Sequence, residues 1–256
     1  MQRQAPQRPR SALPPRSPLR RCRRRWGRLA PGGLIVLALL LFAGCKDPPV
    51  AQRATPIAPS AAPAPAAAVR EEPRVIVMLG DSLTAGLGLP EEESYPALIQ
   101  RRLDEDGYPW RVVNAGVSGD TTAGGLARLD WVLRQRVDVL LVELGANDGL
   151  RGLSTTAMRD NLARIIETAQ VRGIRVVLAG MRMPTNYGTI YGGAFEQVYK
   201  DLARTYDVAL IPFLLEGVAG RSALNQGDGI HPNAAGTAKV AEIVWRALEP
   251  IVKADR

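Results

Sequence analysis

Histidine and cysteine are nearly missing from this chain: one histidine, His231, and two cysteines, Cys22 and Cys45, in 256 residues. Two cysteines make no disulfide framework. So few Cys and His also give no ligand cluster for zinc, and no metal or organic cofactor is expected. A bilayer-spanning helix needs about 20 apolar residues, whereas the apolar stretch Leu34–Ala43 has only ten. Acidic residues are absent from positions 1–28, which hold ten Arg. The formal charge of +8 therefore belongs to the N-terminal segment; the remainder carries 23 basic and 25 acidic residues. No basic stripe is left to bind phosphates, which excludes nucleic acid as the expected partner. Also lacking are an internal repeat and a GxGxxG or phosphate loop after the first strand; Gly86-Leu87-Gly88 alone does not make a nucleotide site.

The Arg-rich start, the short apolar run and small residues after it have the layout of a secretory signal. Phe42-Ala43-Gly44-Cys45 resembles a bacterial lipobox, with Phe where Leu is usual. The resemblance implies lipidation of Cys45 after cleavage. An ordinary signal peptide, or an anchor extended upstream to Ala30, is the alternative. Residues 47–69 are rich in Pro and Ala with few large apolar side chains, so they cannot bury enough surface to order themselves. The expected organisation is a signal peptide over 1–44, a tether over 45–72 and one domain over 73–256. That domain is long enough to bury a substantial core.

Within it, short apolar runs alternate with helical spacing. Val75–Leu79, Val112-Val113 and their neighbours up to Asn114, Val139–Val142, Val176–Ala179 and Val208–Ile211 read as strands. Tyr95–Leu103, Thr122–Leu133, Thr156–Val171, Phe195–Tyr206 and Ala234–Val252 read as helices. Alternation of this kind predicts an α/β fold, a parallel sheet with helices on both faces. Ligands of such sheets bind outside the carboxyl ends of the strands.

Four segments near those ends carry candidate chemistry. Gly80-Asp81-Ser82-Leu83 puts a serine at a strand-to-helix turn, where Asp and Ser are also ordinary caps. Gly116–Thr122 contains Gly119, whose backbone N–H could approach a ligand closely, and Ser118, a rival nucleophile with no base nearby in sequence. Gly145-Ala146-Asn147-Asp148-Gly149 offers the Asn147 amide to a developing oxyanion, although Asn, Asp and Gly also favour plain turns. Asp228-Gly229-Ile230-His231 places an acid three residues before the lone histidine. If a serine reacts through an imidazole, His231 is the base and Asp228 can fix its tautomer.

Together these segments resemble the four blocks of the SGNH (GDSL-type) hydrolases, in order and across nearly the whole domain. The resemblance implies a three-layer α/β/α sandwich around a five-stranded parallel sheet. It implies Ser82 as nucleophile, His231 as base with Asp228, and an oxyanion hole made by Ser82, Gly119 and Asn147. Leu144–Gly152 and Pro184–Gly188 are similar to the bacterial multifunctional thioesterase/lysophospholipase/arylesterase subgroup, in which the loop after the block-three Asn moves on substrate binding. Here that loop would be Asp148, Gly149, Leu150, Arg151 and Gly152, with its two glycines as hinges. The expected substrate is a small acyl ester or thioester, including lysophospholipid. A carbohydrate acetylesterase of the cell envelope is the first alternative and a non-catalytic binding lipoprotein the second. The expected state is a monomer, periplasmic and lipid-anchored to the membrane.

Overall fold

The computed structural model describes residues 72–254; the signal segment, Cys45 and nearly all of the tether lie outside them. Five strands form one sheet: β1 (Arg74–Gly80), β2 (Trp110–Gly116), β3 (Val139–Glu143), β4 (Arg175–Ala179) and β5 (Ala209–Ile211). Their spatial order is β2-β1-β3-β4-β5, every pair parallel. Among the described residues seven α-helices accompany them: α1 (Ser82–Ala85), α2 (Tyr95–Glu105), α3 (Thr122–Val132), α4 (Ala146–Leu150), α5 (Thr155–Val171), α6 (Thr189–Tyr206) and α7 (Ala234–Ala254). Helices α2 and α7 pack together on one side of the sheet, while α5 packs between α3 and α6 on the other.

The central strands read clearly in the sequence because both faces are covered. β3 is buried at every position, and β1 at all but Arg74, which leaves no room for polar alternation. β2 lies at the edge and is only half buried, so its apolar pattern is weak; it runs on through Asn114 to Gly116. Gly116 is required there, since a Cβ would collide with the backbone of Thr84 and Ala85. Helix α6 starts at Thr189, six residues before the apolar periodicity, because Gly192 and Gly193 interrupt the pattern without breaking the helix.

Side-chain oxygens begin several helices. Ser94, Thr121 and Ser154 accept from Ala97 N, Gly124 N and Ala157 N, and Asn233 Oδ1 accepts from Gly236 N at 3.0 Å beside the start of α7. Each such cap is worth about 1 kcal/mol.

Register fixes where the chemistry can lie. Gly80 is level with Gly116 of β2 on one side and with Glu143 of β3 on the other. The segments after these three strands therefore leave the sheet side by side, where the strand order reverses.

Candidate active site

The turn after β1 is built around what cannot fit. A Cβ on Gly80 would meet the Thr84 side chain and Glu143 Oε2. Asp81 then caps α1, its Oδ1 accepting from Leu83 N at 3.0 Å. The single helical turn stops at Gly86, whose φ of 74° suits glycine. Ser82 is thus held on a short, tightly braced segment, 9% exposed.

Ser82 Oγ lies 2.9 Å from His231 Nε2. On the other side of the ring, His231 Nδ1 lies 2.6 Å from Asp228 Oδ2. Asp228 Oδ1 accepts from Ile230 N at 2.9 Å and His231 N at 3.0 Å. The contact with the imidazole, followed by these two N–H groups, lowers the Asp228 pKa to about 2, although the side chain is 44% exposed. The histidine loop is pinned to the serine segment by Gln226. Its Nε2 donates to Leu87 O at 2.7 Å and Pro232 O at 2.9 Å, and its N–H donates to His231 O at 2.7 Å. Ser118 is exposed, and His231 Nε2 is committed to Ser82 instead.

Gly119 adopts φ 81°, a conformation that disfavours a side chain. The described residues offer no hydrogen-bond acceptor to the N–H of Gly119 or of Ser82. Its loop is held from beneath by Arg128 of α3. The guanidinium pairs with Asp120 at 2.7 Å and donates to Ala115 O at 2.8 Å and to Gly80 O at 2.9 Å. Arg151 reaches across from the third segment, donating to Gly119 O at 2.8 Å.

Asn147, in the first turn of α4, donates from Nδ2 to Asp81 Oδ2 at 3.0 Å. The residues expected to form a substrate loop have distinct places. Asp148 is buried and accepts from Thr122 N at 2.8 Å and Thr122 Oγ1 at 2.7 Å, tying the second and third segments together. Gly149 is a packing glycine: a Cβ would strike Met183 and Phe195. Leu150 O accepts from the Tyr187 hydroxyl at 2.9 Å. Gly152, at φ 64°, has open space around it.

Ser82, His231 and Asp228 are thus joined directly, Asn147 is joined to Asp81 beside Ser82, and Gly119 stands on the segment after the neighbouring strand β2. Sequence reading missed Arg128, Gln226 and the buried group Glu143, Thr84 and Tyr95. Of these only Glu143 left a visible sign, a charged residue closing an apolar strand.

Known proteins resemble the chain along most of its described length. Residues 78–239 match the GDSL-like Lipase/Acylhydrolase family. The chain is 45% identical to Esterase TesA of Pseudomonas aeruginosa over 180 residues, covering 70% of this chain and 90% of that one. It is 39% identical to Thioesterase 1/protease 1/lysophospholipase L1 of Escherichia coli (strain K12) over 181 residues, covering 70% and 86%. The crystal structure of TesA superposes with a TM-score of 0.68 at 44% identity, covering 70% of this chain and 99% of that one. The chain belongs to the GDSL-like lipase/acylhydrolase family and is a serine hydrolase of ester bonds.

Proposed function

We propose that this enzyme hydrolyses esters and thioesters of aliphatic acyl chains, lysophospholipids included, through an acyl-Ser82 intermediate. The observation that carries the reading is the continuous chain Ser82 Oγ to His231 Nε2 and His231 Nδ1 to Asp228, at 2.9 and 2.6 Å. Ser82 Oγ attacks the acyl carbonyl as His231 takes its proton. The tetrahedral oxyanion is met by the N–H groups of Ser82 and Gly119 and by Asn147 Nδ2. His231 then protonates the departing alcohol or thiol, and afterwards draws a proton from the water that releases the acid. Secretion, a lipid anchor at Cys45 and a periplasmic location belong to the same proposal.

Chain length is where this reading parts from the acetylesterase alternative. Five large apolar side chains are exposed on the segments that carry the site residues or are hydrogen-bonded to them: Leu87, Val117, Leu153, Ile190 and Ile230. Leu87 follows α1, Val117 precedes Gly119 by two residues, and Ile230 precedes His231. Leu153 O accepts from the hydroxyl of Tyr191, the neighbour of Ile190. A long acyl chain lying on these side chains is desolvated, whereas an acetyl group has a single methyl to bury. In a nitrophenyl ester series from acetyl to palmitoyl, kcat/KM is expected to rise up to about fourfold per added methylene over the first few, the equivalent of about 0.8 kcal/mol each. An optimum at acetyl would instead favour the acetylesterase.

Asn147→Ala tests the oxyanion assignment. The loss of one such donor is expected to lower kcat by about 100- to 1000-fold. A loss under about fivefold would remove Asn147 from the hole.

A further inference from the structure

Directly beneath Ser82 lie two buried carboxyl groups. Asp81 is 1% exposed and Glu143, the last residue of β3, is 0% exposed. No arginine or lysine among the described residues hydrogen-bonds or pairs with either. Every other oxygen in this group has a donor assigned to it. Asp81 Oδ1 accepts from Leu83 N at 3.0 Å, and Oδ2 from Asn147 Nδ2 at 3.0 Å. Glu143 Oε2 accepts from Asp81 N at 3.2 Å and from Thr84 Oγ1 at 2.7 Å. The Thr84 hydrogen being spent on Glu143, Tyr95 must donate to Thr84 Oγ1, 2.6 Å away. That leaves Glu143 Oε1, which is buried and meets no donor among the described residues.

Two anions cannot share such a site without a cation, so a proton must reside there. Each Asp81 oxygen already accepts from one N–H, which favours its ionised form. Glu143 Oε1 is the one oxygen of the pair with no donor to stabilise a negative charge, so the proton belongs there. We infer that Glu143 is a neutral acid that carries its proton on Oε1 beside the Asp81 carboxylate, and that, with Oε2 accepting from Asp81 N, it thereby holds Asp81 where it aims the Asn147 amide. Glu143 is then a positioning residue, acting on the reaction through Asp81 and Asn147, and its role rests on Asn147 being an oxyanion donor. Burial above all, then the charge of Asp81 and the hydrogen bond between the two side chains, push Glu143 well above the usual carboxylate range. The remaining titratable groups that face the pair are Tyr95 of α2, Tyr199 of α6 and His231.

The protonation state is read from stability. The pKa of Glu143 is raised on folding, so the folded protein keeps a proton that the unfolded chain loses above its ordinary carboxylate pKa of 4.5. Its contribution is fully present below that pH and declines as pH rises toward the folded value. Glu143→Gln removes the titration and reproduces the donor and acceptor pattern, with the amide nitrogen at Oε1. From about pH 5 upward, the folding constant of the native protein is expected to fall relative to Glu143→Gln by about tenfold per pH unit. Parallel stability profiles would mean that Glu143 is ionised and would overturn the inference.

Positioning is read from turnover. Glu143→Gln is expected to keep kcat and KM on a nitrophenyl ester within about threefold, whereas Glu143→Leu, which cannot accept from Asp81 N, lowers kcat by about tenfold or more at unchanged KM. In an Asn147→Ala background the same Leu substitution is expected to add little, because the group it positions is gone. Independent, multiplying losses would assign Glu143 to structure alone. If Glu143→Leu does not fold, Glu143→Gln decides: a folded Gln variant that loses kcat by more than about tenfold defeats the inference. Asn147→Ala alone separates the two levels. A loss under about fivefold there defeats the oxyanion reading; a large loss there with an indifferent Glu143→Leu defeats only this inference.

Discussion

Ser82→Ala is expected to lower kcat/KM on a nitrophenyl ester by about 10⁵- to 10⁶-fold, the scale seen when a triad serine is removed. The residual rate would come from the oxyanion donors, which do not need the hydroxyl. Stability is expected to stay within about 0.5 kcal/mol, or 1–2 °C in melting temperature for a domain of this size. The reason lies in the contacts. Among the described residues the only hydrogen bond of the Ser82 side chain is to His231 Nε2, and His231 keeps Asp228 without it. The Asp81 cap on Leu83 N does not involve Ser82 Oγ. An inactive but folded variant, compared with native protein over the ester series, tests the nucleophile. Activity above about 1% of native would point to a second nucleophile, and Ser118→Ala is the control for it.

Legibility in the sequence followed burial and chain distance. β1, β3 and β4 lie at the centre of the sheet, and their apolar runs are unbroken because neither face meets water. β2 and β5 are edge strands, and there the expected bounds drifted: β2 continued past Asn114, and β5 began at Ala209 instead of Val208. The proposed site residues stood out for a different reason. Ser82, Gly119 and Asn147 occupy turn-forming segments immediately after strands, and His231 has no competitor. The supporting residues had no such mark. Arg128 braces carbonyls 13 and 48 residues away, and Glu143 receives hydrogen bonds from residues 59 and 62 positions distant. No local pattern encodes contacts of that range; they follow from the parallel register that sets Gly80 level with Gly116 and Glu143.

His231→Ala is expected to match Ser82→Ala, at about 10⁵- to 10⁶-fold, and the double variant to cost no more than either single one. Serine and histidine act as a unit: an alkoxide cannot form without the base, and the base has nothing to deprotonate without the serine. With a single histidine in the sequence, no neighbouring imidazole can take over. Asp228→Ala is expected to lose less, about 10⁴-fold, because the imidazole would still stand beside Ser82 Oγ. What disappears is the acceptor that selects the tautomer with Nε2 free to receive a proton, and that stabilises the imidazolium once formed. The same carboxylate also organises its own loop through the N–H groups of Ile230 and His231, so part of the loss is geometric. Asp228→Asn separates the two contributions, since its side-chain oxygen can still accept from the loop while its charge is gone. The carboxylate has a pKa of about 2, so it remains ionised at every pH where an ester assay is practical, and its charge is a constant of the mechanism. A greater loss for Asp228→Ala than for His231→Ala would mean that the loop's shape, and not the imidazole it carries, limits the reaction.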